Sequence, residues 1–310
     1  MKCGNVLVCG NIVTDLLVRP VEEIQWNTTR WVDSIEQHLG GNGANTAYTL
    51  AMLAVPVRLL GAVGPDGFGD FALSQLQRAG VDLTPVRRDG AATATTVGLV
   101  RADGARAFLH RPGASHQITA PLPWPEACGA TTHFHLANIF GLPNLRPHAA
   151  ETLRQARKLG YSTSLDTGWD ARNQWSEILN PCLPYLDLLF VNQDEARLLT
   201  GLHDPAQAAR ALLDGGAGTV IVKLGEQGCL VCRGQTAEPT PAFIVPVVDT
   251  TGAGDCFAGG FISGLHHGYD LVQAARLANA AGALSVQRLG AITGLLPLDQ
   301  TLDWMKARSS

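Results

Sequence analysis

The sequence predicts an α/β fold: a doubly wound, mostly parallel sheet flanked by helices, with a small β-sheet lid beside it. The first observation is a rhythm of short apolar runs. Val6–Cys9, Arg58–Val63, Thr132–Leu136, Ser162–Asp166, Leu186–Val191 and Thr219–Lys223 read as strands. Several are apolar at consecutive positions, as strands covered on both faces are. The second observation is helical spacing between them, over Ala44–Ala54, Phe68–Ala79, Pro147–Lys158, Asp194–Thr200 and Pro205–Leu213. Strands and helices in alternation imply parallel strands joined by right-handed crossovers. The third is where the rhythm breaks. Residues Asp15–Leu39 hold two extended runs around a polar turn, and Thr93–His110 reads as a hairpin, with Thr95–Arg101 and Ala105–His110 flanking Asp103-Gly104. Neither segment is followed promptly by a crossover helix. Segments 15–39 and 93–110 are therefore expected to form a small second sheet inserted in one domain spanning residues 1–310. A small sheet beside an α/β core suggests a lid over a site; an extended edge of the main sheet is the alternative. Amphipathic helices are expected over Leu271–Leu289 and Leu298–Ala307.

Composition narrows the class. The chain is 46% hydrophobic and 16% charged, which is ordinary for a globular protein. A formal net charge of −4, with no Lys/Arg-rich block, argues against a nucleic-acid surface. No apolar run reaches the roughly 18–20 residues of a membrane span. The segment from Met1 to Val8 starts a strand rather than a signal peptide, so the cytoplasm is the expected compartment. The seven cysteines are scattered and odd in number, which does not make a disulfide framework. Cys229 and Cys232 have C-x-x-C spacing, but no second Cys/His pair lies nearby and Gly228–Cys232 reads as a strand.

Chemistry concentrates in Asp249-Thr250-Thr251-Gly252-Ala253-Gly254-Asp255. The preceding Ile244–Val248 is extended, and Phe257, Phe261 and Leu265 then recur every four residues. A Gly-rich turn therefore opens a helix. Free backbone N–H groups and the helix dipole make that point an anion site, which Gly252 and Gly254 let an anion approach closely. Asp255 falls in the first turn, beside any bound phosphate. It makes sense there as the acceptor of a proton from an attacking hydroxyl; an ordinary helix-start acid is the alternative. No G-x-x-x-x-G-K-[ST] occurs, and the first strand ends in Cys9-Gly10-Asn11-Ile12 rather than G-x-G-x-x-G, so neither a P-loop nor a dinucleotide fingerprint is present.

Asp249–Ile262 resembles the second signature of the ribokinase-like, or PfkB, carbohydrate kinase family. Its first signature resembles Gly40-Gly41-Asn42-Gly43-Ala44-Asn45-Thr46-Ala47 followed by Leu60–Gly69, with Ala54 standing where the family usually has Gly or Ser, a change expected to cost little at a turn. Gly10-Asn11 through Asp15 is similar to the first strand and its substrate-binding acid. Asn192-Gln193-Asp194-Glu195 is similar to the N-x-x-E motif, and Lys223–Gly228 to the nucleotide-site turn. Asn279 and Ser285–Gly290 fall at the adenine and cation-loop region. The motifs keep their order along nearly the whole chain.

The resemblance implies an ATP-dependent kinase that phosphorylates a hydroxyl of a small sugar or sugar-like metabolite. Asp255 would be the base, and the Gly252, Ala253 and Gly254 amides the anion hole. Asp15, Gly41, Asn42, Gly43 and Asn45 would line the substrate pocket; ribokinases proper usually carry Lys at the place of Asn42. Lys223, Gly225, Gly228, Asn192 and Asn279 would bind ATP. Asn192 and Glu195 would organise Mg2+ through water, and the same pair also reads as a helix capping box. Asp249, Thr251, Ser285, Arg288 and Gly290 fall where relatives bind a monovalent cation such as K+, mostly through backbone carbonyls.

Other polar residues carry less. His133 and His135 share a strand face without an evident third ligand and read as core or pocket histidines; His266-His267 reads as a helix end. Arg111 is placed to reach an anionic substrate or to lie on the surface. Asn138 follows a strand's C-terminal end, where such folds bind ligands. A nucleoside kinase would need an apolar slot, which Val13, Phe108 or Phe140 would supply. A non-catalytic sugar- or nucleotide-binding regulator is the alternative of another class. Two lids pairing into a homodimer would cover their exposed edges.

Overall fold

The computed structural model describes residues 6–88, 90–124 and 133–308. Thr132 and the first five residues, both counted in expected strands, lie outside them. In chain order the elements are β1 (Val6–Cys9), β2 (Val13–Arg19), β3 (Ser34–Gly40), α1 (Asn42–Met52), β4 (Val57–Leu60), β5 (Ala62–Val63), α2 (Gly67–Ala79), β6 (Arg87–Arg88), β7 (Ala94–Val100) and β8 (Arg106–Arg111). There follow β9 (His133–Ala137), α3 (Ala149–Lys158), β10 (Ser162–Asp166), α4 (Trp175–Leu179), β11 (Leu188–Asn192), α5 (Gln193–Thr200), α6 (Pro205–Asp214), β12 (Val220–Lys223), β13 (Cys229–Arg233), β14 (Thr236–Thr240), α7 (Ala253–His266), α8 (Leu271–Ser285) and α9 (Leu298–Lys306).

The main sheet has the order β14-β13-β12-β11-β10-β9-β1-β4. It is parallel from β4 to β12 and closes with the antiparallel β13 and β14. Continuous apolar strands are explained by burial on both faces. Leu7, Cys9, Leu189, Val191, Val220 and Val222 join one core with Leu153 of α3 and Ala208 of α6. Val6, Val8, Leu188, Phe190 and Ile221 join the other with Leu50 of α1, Leu76 of α2 and Phe261 of α7. The chain runs from β1 to β4 on one side and later returns to β9 on the other side of β1. That reversal makes the crevice beyond the C-terminal ends of β1 and β9 the place where an open α/β sheet takes a ligand.

The segments expected to leave the main sheet do so. β2, β3, β7 and β8 form a separate sheet of order β3-β2-β7-β8. β2 and β7 are parallel, and each carries its hairpin partner on the outside. Its face bearing Asp15, Leu17, Thr96, Phe108 and His110 is set by register, and Leu16, Val18, Ile35, Val97 and Leu109 take the opposite face.

Several expectations shift. The run Arg58–Val63 breaks at Gly61: β4 ends at Leu60, and β5 pairs with β6 in a two-stranded ladder. Residues 244–248 join no strand among the described residues, and Ile244, Val247 and Val248 are exposed. α8 stops at Ser285, and the chain turns through residues 286–290 instead of continuing helical to Leu289. Ala54 holds φ +61, a left-handed conformation that disfavours a Cβ, so this position is not neutral toward alanine.

Candidate active site

Helix α7 begins where the glycine pattern places it. Gly252 caps it at φ +72, and a Cβ there would overlap the Ala291 side chain. The Gly252 and Gly254 amides donate to no acceptor among the described residues, whereas Ala253 N–H already turns back to the Thr250 carbonyl at 3.3 Å. Asp255, two residues on, is 5% exposed. Its Oδ1 accepts from Asn42 Nδ2 at 2.7 Å and its Oδ2 from Asn45 Nδ2 at 2.9 Å. Both asparagines lie in the first turn of α1, which α7 meets closely because Gly259 has no side chain: a Cβ there would fall 2.8 Å from Thr49 Cβ.

A relay fixes the amide orientations. Gly141 N–H donates to Asn138 Oδ1 at 3.1 Å, and Asn138 Nδ2 donates to Asn42 Oδ1 at 2.7 Å. A backbone N–H only donates, so the first link orients both amides and leaves Asn42 giving its proton to Asp255. Burial pushes the Asp255 carboxyl up, and the Asp166 charge adds to this. The two asparagine donors and Lys223 pull the other way, and the balance lies at about 6.

Beside Asp255 lies a second cluster. Lys223, the last residue of β12, reaches both Asp166 oxygens at 2.9 and 2.8 Å. A Cβ on Gly254 would stand 3.1 Å from its ammonium, so the charge faces the Gly-rich turn. Burial pulls the Lys223 ammonium down, but Asp166 and Glu195 outweigh it and hold the group above its ordinary range. Asn192 and Glu195 form the capping box of α5: Glu195 N donates to Asn192 Oδ1 at 2.8 Å, and Asn192 N to Glu195 Oε2 at 2.7 Å. Thr167 Oγ1 also donates to Glu195 Oε2, at 2.9 Å. Burial raises the Glu195 carboxyl against the pull of Lys223.

A helix-start carboxylate, a turn with two free amides and a largely buried lysine at a strand end thus meet at one place. The family model for pfkB family carbohydrate kinases matches residues 4–298. The chain belongs to that family. It is 33% identical over 288 residues to the ATP-dependent ribose-1-phosphate kinase of Halopiger xanaduensis, covering 92% of this chain and 93% of that one. It is 30% identical over 283 residues to the aminoimidazole riboside kinase of Salmonella typhimurium, covering 87% and 88%. Among solved structures it superposes with TM-score 0.86 and 25% identity on an E. coli protein designated ribokinase II, in complex with ATP and Mg2+, covering 98% of this chain and all of the other.

In this pfkB protein the smaller sheet meets the site from the other side. Asp15 of β2 is largely buried. Burial raises its carboxyl to about 6, with Thr96 lowering it by a hydrogen bond and the Asp249 charge raising it. A Cβ on Gly40 would overlap the Asp15 carboxylate, so that glycine makes room for the acid. The expected cation-loop residues are brought together only in part. Asp249 Oδ1 accepts from Thr251 N at 2.8 Å and pairs with Arg106 Nη1, and its Oδ2 accepts from Gly290 N at 2.8 Å. Ser285 Oγ donates to the Gly282 carbonyl at 2.8 Å, and Arg288 is exposed. The Val286 carbonyl accepts from Val248 N at 2.7 Å and from Asp249 N at 3.1 Å. A carboxylate already holding a guanidinium and two amides does not fit a bare monovalent ion.

The remaining expected residues fall as follows. Gly225 and Gly228 hold φ +60 and +92 around a tight turn, and a Cβ on Gly228 would overlap the Thr240 carbonyl. Asn279 of α8 donates to the Thr240 and Pro241 carbonyls, both at 3.0 Å, and so braces the same turn. Lys223 sits at the Asp255 end rather than at that turn. A Cβ on Gly43 would fall 2.6 Å from the Gly10 backbone, so α1 starts packed directly on the chain that leaves β1. Gly41, at φ +93, caps α1 against the Asn11 carbonyl. His133 and His135 bond the Ser164 hydroxyl, each at 2.7 Å, and no cluster of three His, Cys, Asp or Glu among the described residues is placed to hold a metal. Arg111 donates to the Thr93 carbonyl at 3.0 Å, and register puts it on the face away from Asp15. Cys229 and Cys232 are free thiols on β13.

Sequence reasoning missed Asp166, Arg106, and Asn11, whose Oδ1 accepts from Asn42 N at 2.9 Å. Asp166 ends a parallel strand, and a carboxylate at that position was a usable signal. Arg106 meets a partner 143 positions away, which no spacing pattern encodes.

Proposed function

We propose that this protein transfers the γ-phosphoryl group of ATP to a hydroxyl of a small sugar or sugar-like metabolite. The observation that carries the reading is Asp255 itself: a buried carboxylate, bonded on both oxygens, three residues beyond the Gly252 cap, in a turn where the Gly252 and Gly254 amides are free. Asp255 would accept the hydroxyl proton, and the Gly252 and Gly254 amides would stabilise the charge of the group in transit. Lys223 would add positive charge at the same point.

The acceptor would lie in the crevice beyond β1 and β9, against Asp15, Asn42, Asn45 and Asn138. Asn45 Oδ1 is buried without a hydrogen-bond partner, and an acceptor hydroxyl would satisfy it. The turn at Gly225 and Gly228, with Asn279, would take the nucleotide. Glu195 fits Mg2+ held through water, because Oε2 is engaged while Oε1 accepts no hydrogen bond among the described residues; Asn192 keeps its Nδ2 as a donor. Bound there, Mg2+ would neutralise phosphate charge.

ATP consumption over a panel of pentoses, sugar phosphates, hexoses, keto-deoxy acids and nucleosides tests the reading. Turnover of at least one, lowered about a thousandfold in Asp255→Asn, is expected. No turnover of any of them, which a non-catalytic regulator would give, sinks it. A nucleoside kinase is the second reading. Val13 is 2% exposed and Phe140 is packed under Arg146, but Phe108 is 50% exposed on the Asp15 face and would stack a base. Turnover of adenosine relative to ribose decides between them.

No helix among the described residues is long and apolar enough to cross a membrane. The free, buried cysteines suit a reducing cytoplasm. Ile35 and Leu109, each 65% exposed on the smaller sheet's outer face, suit pairing with a second copy.

A further inference from the structure

We propose that Arg106 is the built-in cation of the loop that opens α7, so that closing the smaller sheet and completing the anion hole are one event and no monovalent ion is required. The inference rests on the kinase reading for its consequence and on geometry for its substance. Asp249 is 2% exposed, and a carboxylate so desolvated needs a positive partner. Arg106 supplies it. The same Nη1 that pairs with Asp249 donates to Thr251 Oγ1 at 2.9 Å, and Nη2 reaches the Val248 carbonyl at 3.5 Å. One guanidinium thus ties Val248, Asp249 and Thr251, directly ahead of the Gly252 cap. Its planar fork suits several acceptors at once, as a lysine ammonium would not. A metal ion on Asp249 would sit against that guanidinium and be repelled.

Arg106 belongs to β8, on the smaller sheet and not on the main one. The other edge of that sheet touches the same loop system, because a Cβ on Gly290 would overlap the His38 ring of β3. Lifting the sheet would strip Asp249 of its counter-charge and free the loop that sets the Gly252 and Gly254 amides. Arg106 is therefore a positioning residue, acting through Asp249 and not on substrate.

The experiment compares wild type, Arg106→Met and Arg106→Lys in K+, Na+ and tetramethylammonium salts at equal ionic strength, reading both ATP turnover and Tm. Wild type is expected to show the same kcat and Tm in all three. Arg106→Met should lose about tenfold to a hundredfold in kcat in tetramethylammonium, recover part of it in K+ or with added guanidinium, and gain Tm in K+ alone. Arg106→Lys, which keeps the charge, should stay insensitive to K+. Severalfold activation or a K+-specific Tm rise in wild type overturns the proposal, as does Arg106→Met with unchanged kcat and Tm. If Arg106→Met does not fold, the salt profiles of wild type and Arg106→Lys decide. A wild type that turns over no acceptor sinks the kinase reading, and the Tm arm still judges Arg106.

Discussion

Asp255 has to be ionised before it can take a proton, and its surroundings put that step within reach of a pH titration. Asp255 and Asp15 are both raised from 3.8 to about 6 by burial. Each binds its proton more tightly folded than unfolded. If Asp255 is the base, activity should be lost as pH falls through 6, while these two groups should add stability over the same fall, from 6 toward 4. If both must be charged, kcat/KM should fall below pH 6 with a log slope approaching two, and Asp15→Asn should reduce that slope to one; an unchanged slope in the variant removes Asp15 from the ionised requirement. Asp255→Asn should lower kcat by about a thousandfold while the protein stays folded by circular dichroism. The place of Asp255 was legible because a glycine-rich turn opens a helix there; its proposed role as base came from the family resemblance, since a helix start alone also suits an ordinary acid. Asp166 offered a signal, a carboxylate ending a parallel strand, but its partner Lys223 lies on β12, two strands across the sheet, and only the fold brings them together.

Helix α7 is held by what it lacks. A Cβ on Gly260 would fall 2.8 Å from Ala278 Cα, and one on Gly264 would fall 2.7 Å from Ala274 Cα, so α8 packs backbone to backbone against it. Gly260→Ala should cost about 1–3 kcal/mol in urea unfolding, because the extra methyl forces two helices apart. Ala54 works in reverse. It is exposed at φ +61, and Ala54→Gly should stabilise by about 1 kcal/mol in the same measurement. The glycines after Asp255 were readable as a motif. Their reason, a close helix crossing, depends on α8 and was not. Element ends follow local chemistry: Asn192 and Glu195 announced the start of α5, whereas the stop of α8 at Ser285 had no glycine or proline to mark it.

At the scale of the molecule, a covered parallel sheet was legible because its strands are apolar without alternation. The smaller sheet was legible because Asp15–Leu39 and Thr93–His110 lack crossover helices. β14 was not, since Thr236–Thr240 is mostly exposed and carries Glu238 and Pro239. How the two sheets meet was equally hidden, resting on pairs such as Arg106 with Asp249. The outer face of the smaller sheet yields the last prediction. Light scattering should show a dimer, and Ile35→Glu with Leu109→Glu should give a folded monomer. A monomeric wild type at working concentration removes the dimer.

The relay from Gly141 through Asn138 and Asn42 to Asp255 runs in one direction, and if Asp255 is the base this bears on how it would be restored between turnovers. Asn138 and Asn42 each receive a hydrogen bond at Oδ1 and pass one on from Nδ2, so Asn42 faces Asp255 as a donor. A hydrogen captured by Asp255 would meet a donor at each oxygen, and of the two only Asn45, whose Oδ1 has no partner, could turn to accept it. With its carboxyl balanced near 6, Asp255 would favour the ionised form at neutral pH. The scaffold that would aim the base would thus also favour its emptying.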